Sequence, residues 1–167
     1  MEVHLNIFYL DHDPRVAATW LVDKHVKRMV RMKLFVYGTL RKGMWNNRLL
    51  AGSEYLGSGV IQRAALFNYG GFPFVVVGHA NDEVTGDLYE ISESTLYRCD
   101  GLEGYHGPEL GRRNFYDRVR VQCTVGDVVH EDVWVYVNPR SEETERYPQI
   151  TSGDWIKYWQ EDRLTNG

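Results

Sequence analysis

Residues 34–43 read LFVYGTLRKG. Leu34, Phe35, Val36 and Tyr37 form an apolar run rich in β-branched and aromatic side chains, which predicts a buried strand. Gly38 and Thr39 end it abruptly, and a basic pair, Arg41 and Lys42, follows. Two accounts fit that corner. Glycine at a strand exit is ordinary turn chemistry, because the chain must change direction there. Alternatively, the successive N–H groups of Gly38, Thr39 and Leu40 converge on one point, as a main chain does when it binds a carboxylate or an oxyanion without a charged side chain. Arg41 and Lys42 would then add a long-range pull on an anion.

Working outward, similar runs recur at residues 60–70 (VIQRAALFNYG), 72–78 (FPFVVVG), 84–91 (VTGDLYEI), 114–125 (NFYDRVRVQCTV) and 131–137 (EDVWVYV). Each is bounded by Gly, Asn, Asp or Pro, so a half-open sheet or barrel is expected. The alternation of Tyr116, Arg118 and Arg120 against Phe115, Val119 and Val121 slips by one inside NFYDRV, which predicts a bulge there. Helical patterns fall at 44–52, 92–105 and 151–163, with Ser92 and Thr151 or Ser152 as N-caps. The fold class is therefore α+β, a curled, mostly antiparallel sheet with flanking helices. The charged, proline-bearing segment 138–150 is expected to run over the surface as a loop.

Residues 1–31 differ in character and are expected to form an N-terminal extension ahead of a domain spanning 32–167. Pro14 suits a first helical position, and Val16, Trp20, Leu21, Val26, Met29 and Val30 then fall near one side of a helix. Lys24, Lys27, Arg28 and Arg31 crowd its C-terminal end. They either solvate an outer face or grip phosphate or an acidic partner.

The chain of 167 residues carries 43% hydrophobic and 25% charged residues and a formal net charge of −4. Those proportions fit one globular domain with a sizeable core, and the acidic balance argues against a nucleic-acid partner for the surface as a whole. Cys99 and Cys123 are far apart and form no C-x-x-C pattern, so a reducing compartment is expected. With no membrane-length apolar run and no secretion signal, the expected location is cytoplasmic. The six histidines match no zinc spacing, and Asp11, His12 and Asp13 are accounted for by helix capping. Neither metal nor cofactor is expected.

Residues 99–107 read CDGLEGYHG and set one carboxylate, Glu103, between glycines and beside Tyr105. Held in an apolar pocket it would lose solvation, its pKa would rise, and it could exchange a proton near neutral pH. On a surface turn it would simply be solvated, and this stretch alone does not separate the two.

Seven segments in order, FVYGTLRKG, GFPFVVVG, VTGDLYEI, LYRCDGLEGY, FYDRVRV, VWVYV and ITSGDW, resemble the gamma-glutamylcyclotransferase-like superfamily, in particular its gamma-glutamylamine cyclotransferase-like branch. The likeness covers about residues 33–159. It implies a compact β-barrel flanked by helices with a cavity at one end. It also implies that the turn at Tyr37, Gly38, Thr39 and Leu40 lines the cavity with backbone donors. The family's acid/base glutamate maps onto Glu103 through Asp100, Glu103 and Gly104, with Cys99 in a position the family fills with leucine. Tyr116, Arg118 and Tyr136 map onto its substrate-binding strands, and Gly153, Asp154 and Trp155 onto its late turn. The implied activity is cyclisation of a small molecule bearing a gamma-glutamyl group to 5-oxoproline, with no enzyme nucleophile and no cofactor. The alternative is a catalytically silent domain of the same fold that binds a small ligand or a host protein. Phe74 and Trp45 depart from the family pattern and predict a narrower mouth. The opening residues, NIFYLDHDPRVAATWLVDKHV, resemble the start of a group of small tailed-phage proteins, which would put the chain in a host cytoplasm.

Overall fold

The computed structural model describes residues 31–79 and 82–166. The expected amphipathic helix of the N-terminal extension lies outside the described residues.

Among the described residues seven strands form, β1 (Met32–Val36), β2 (Glu54–Gln62), β3 (Ala64–Asn68), β4 (Pro73–Val77), β5 (Glu83–Ile91), β6 (Asp117–Val125) and β7 (Val128–Val137), with helix α1 (Glu93–Glu103) after β5 and α2 (Trp155–Asn166) at the end. Five strands close into a barrel in the order β1-β5-β2-β6-β7, while β3 and β4 pair as a separate hairpin. All barrel pairs are antiparallel except β1 with β7, which run parallel through Lys33–Val133 and Leu34–Trp134. The fold is thus α+β, as the sequence predicts.

The opening stretch is apolar throughout because both of its faces are covered. Phe35 and Tyr37 join a core to which all five barrel strands contribute, among them Ile61, Leu88, Cys123 and Val135. Leu34 and Val36 join a second core against Leu96 and Cys99 of α1. Consecutive residues of β1 therefore serve two cores, and the cavity described below opens where the strand leaves them.

Four details depart from the sequence-based expectations. Residues 60–70 are not one strand: Arg63 takes a left-handed φ of 55°, which separates barrel strand β2 from hairpin strand β3. The bulge lies between Val121 and Cys123, not inside NFYDRV, because Phe115 and Tyr116 precede β6. Asp154, not Thr151 or Ser152, caps α2: its Oδ1 accepts from the amides of Ile156 at 2.9 Å and Lys157 at 3.3 Å. The loop at 138–150 contains a 3-10 turn, Ser141–Arg146, and returns to the core at Ile150. Ser92 does cap α1, accepting from the Thr95 amide at 3.2 Å.

Candidate active site

The corner at residues 37–40 lines a cavity of about 230 Å³ together with Glu103, Tyr116 and Tyr136. Gly38 is required there by close approach: a Cβ would sit 2.9 Å from Pro73 Cγ across the cavity wall. The carbonyls of Gly38 and Thr39 are taken by the amides of Arg41 and Asn46, at 3.0 and 3.1 Å. The amides of Gly38, Thr39 and Leu40 have no acceptor among the described residues. Unpaired N–H groups beside a cavity are rare and point to an anionic or carbonyl ligand.

Arg41, the first of the basic pair that follows, is structural. Arg41 is buried, donates to Asp154 at 2.8 Å, and lies 3.6 Å from the buried carboxylate of Asp87. Asp87 also accepts from the Lys42 amide at 2.8 Å. With two carboxylates on its guanidinium, Arg41 does not provide the long-range pull expected of it. It ties the turn to β5 and to the start of α2 instead.

Glu103 is the last residue of α1 and lines the same cavity. Gly104 ends the helix with a left-handed φ of 63°, its amide closing on the Asp100 carbonyl. The Tyr116 amide then bonds the Glu103 carbonyl at 3.2 Å. Buried Asn114 accepts from the His106 amide at 3.0 Å and donates to the Gly107 carbonyl at 2.9 Å, which pins the intervening loop. The glutamate is therefore held by main-chain bonds on both sides. Its carboxyl makes no hydrogen bond or ion pair among the described residues, and burial pushes its pKa from the ordinary 4.5 up to about 7. The negative end of the α1 dipole disfavours ionisation in the same direction.

Three tyrosine rings wall the cavity with their hydroxyl protons committed elsewhere. Tyr37 donates to the Tyr136 carbonyl at 2.9 Å, Tyr116 to the Pro73 carbonyl at 2.6 Å, and Tyr136 to Asp100 at 2.7 Å. Burial raises the pKa of all three, so they remain neutral phenols. Tyr116 and Tyr136 thus offer ring faces where the sequence resemblance implied substrate-binding groups in general.

Arg118 is not among the lining residues. One of its terminal nitrogens bonds both oxygens of Asp100, at 2.7 and 2.8 Å, and its guanidinium is stacked between the rings of Tyr105 and Trp134. Phe74 is also displaced from its expected role, being buried and stacked on Phe67, so the aromatic residue at the mouth is Phe72. Trp45 does line the mouth. Cys99 lies one helical turn before Glu103, but burial pushes its thiol up to about 12, which removes it as a nucleophile near neutral pH. Among the described residues no cluster of three or more His, Cys, Asp or Glu side chains is arranged to hold a metal ion.

The model of the family described as Gamma-glutamyl cyclotransferase, AIG2-like matches residues 34–157, most of the chain and all of this site. The chain belongs to that family. It is similar to the gamma-L-glutamyl-butirosin B gamma-glutamyl cyclotransferase of Niallia circulans, at 35% identity over 132 residues, covering 78% of this chain and 80% of that one. The YtfP family protein of Escherichia coli K12 is 31% identical over 125 residues, 75% of this chain and 96% of its own. Among solved structures, YkqA from Bacillus subtilis superposes with a TM-score of 0.63 at 25% identity, covering 82% of this chain and 44% of the other.

The chain is therefore an enzyme of the cyclotransferase type, and the reading of a silent domain gives way. Several residues that shape the candidate site were missed in the sequence. Asn46 donates to Thr39 Oγ1 at 2.9 Å and orients that hydroxyl, while Gly71, Pro73, Leu102 and Phe115 complete the lining. Asp87 and Asn114 hold the two loops from behind. Only their being buried polar groups distinguishes these last two, and burial is not visible in a sequence.

Proposed function

We propose that the cyclotransferase converts a gamma-glutamyl amide into 5-oxoproline and a free amine, with Glu103 as the proton carrier. The α-amino group of the substrate attacks its own γ-carbonyl, the new carbon–nitrogen bond closes a five-membered lactam, and the original amide carbon–nitrogen bond breaks. Because both reacting groups belong to one molecule, positioning supplies most of what is needed. Of the three protons on the α-ammonium, one stays on the lactam nitrogen and the other two leave with the amine. Glu103 relays them, taking a proton to free the attacking lone pair and returning it to the departing nitrogen. The N–H groups of Gly38, Thr39 and Leu40 hold the substrate carboxylate or the oxyanion that develops on the γ-carbonyl.

The observation that carries this reading is the presence, in the lining of one cavity, of a carboxyl near pKa 7 and a row of amides that have no partner among the described residues. The amides favour an anionic or carbonyl ligand, and the carboxyl is suited to move a proton at neutral pH. The gamma-glutamyl activity in the name of the Niallia circulans relative supports the same chemistry.

The test is 5-oxoproline release from a panel of gamma-glutamyl amides by the native protein and by Glu103→Gln. A loss of about 10²- to 10⁴-fold in rate is expected for the variant, with its circular dichroism unchanged. Equal yields from both proteins would reject the mechanism.

A further inference from the structure

The cavity is small and its mouth is apolar. Of the ten well-exposed large apolar side chains among the described residues, four line this one opening: Trp45, Phe72, Leu102 and Phe115. They are 56, 57, 41 and 49% exposed and come from four separate segments of the chain. Scattered exposed apolar residues need no explanation, whereas four gathered at a binding cavity mark a contact surface.

Two of these side chains, Trp45 and Phe115, are braced. The Trp45 ring lies 5.9 Å from that of Trp159 on α2, and Phe115 packs on Tyr116 at 5.1 Å and edge-on to Tyr69 at 6.5 Å. Rings held before a ligand arrives lose little entropy on binding it. Among the described residues, Glu103 is the only acidic side chain that lines the cavity, and no Lys, Arg or His does. A leaving group carrying a carboxylate would find no cation there. One carrying a second ammonium would find only the carboxyl that moves the proton.

Resting on the reaction proposed above, we infer that the amine released is uncharged apart from its own nitrogen and bears an aryl or bulky alkyl substituent that lies across Trp45, Phe72, Leu102 and Phe115. The interior, at about 230 Å³, is below the roughly 300 to 1,000 Å³ typical of pockets for drug-sized ligands. The glutamyl part fills it, and the substituent on the amide nitrogen meets the rim.

Calorimetry on Glu103→Gln protein separates this inference from the reaction itself. Gamma-glutamyl benzylamide is expected to bind about tenfold or more tightly than gamma-glutamyl methylamide. Trp45→Ala and Phe72→Ala, each made in that background, should lower the ratio severalfold. A ratio near one, or tighter binding of gamma-glutamylalanine than of the benzylamide, overturns the inference. Turnover by the native protein reads the other claim. Benzylamide preference without 5-oxoproline rejects the reaction and keeps the ligand class, whereas 5-oxoproline from the methylamide without benzylamide preference does the reverse.

Discussion

At the scale of single residues, Glu103 is defined by what surrounds it. Its carboxyl has lost water without gaining a partner among the described residues, and the resulting pKa of about 7 sets a pH dependence. As a base it must be ionised, so kcat/KM is expected to rise with pH through about 7 and level off above it. A flat profile between pH 5.5 and 8 would contradict the assignment. The sequence made Glu103 legible as a candidate because a carboxylate flanked by glycines after an apolar helix is a local pattern. It could not separate Arg118 from the cavity-lining residues, since the carboxylate that occupies Arg118 lies 18 positions away on another element. Asp100→Ala should show which role Arg118 has. The loss would leave a partly buried guanidinium without its carboxylate and cost about 2 to 4 kcal/mol in urea unfolding. A cost below about 0.5 kcal/mol, within the range of ordinary surface changes, would mean the pair carries no structural weight.

At the scale of elements, the start of α2 and the turn after β1 are one unit. Asp154 caps the helix and holds Arg41, so a single carboxylate serves a helix terminus and a buried cation. Asp154→Ala is expected to cost about 2 to 3 kcal/mol, the sum of a lost cap and an exposed buried charge. Thr151→Ala, at the position the sequence offered as a cap, should stay within about 0.5 kcal/mol. Denaturant midpoints of the two variants compare them directly. Most strands were legible, because β-branched and aromatic runs bounded by turn residues are a local signal. The first half of β2 was not: Gly57, Ser58 and Gly59 carry little strand propensity, yet the chain pairs there with β5. Tertiary pairing outweighs weak strand propensity at such positions.

At the scale of the whole molecule, the site is a cost that the fold carries. Glu103 binds its proton more tightly folded than unfolded, so between pH 4.5 and about 7 the folded state holds more protons. Stability from this group is complete below pH 4.5 and is lost as pH rises through about 7, by up to roughly 3 kcal/mol. Glu103→Gln should accordingly be more stable than the native protein at pH 8 and nearly equal at pH 5, as thermal unfolding at the two values would read. No gain at pH 8 would mean that the carboxyl stays solvated. Among the described residues no helix is long and apolar enough to cross a membrane. The sequence by itself determined the strand pattern, the turn at Gly38 and the motif that bears Glu103, because each is written in neighbouring residues whose propensities act locally. Only the tertiary structure decided that, among the described residues, three amides remain unpaired, Arg41 and Arg118 are neutralised, and the Glu103 carboxyl has no partner. Desolvation and hydrogen-bond satisfaction depend on atoms brought together from distant parts of the chain, and no local pattern encodes them.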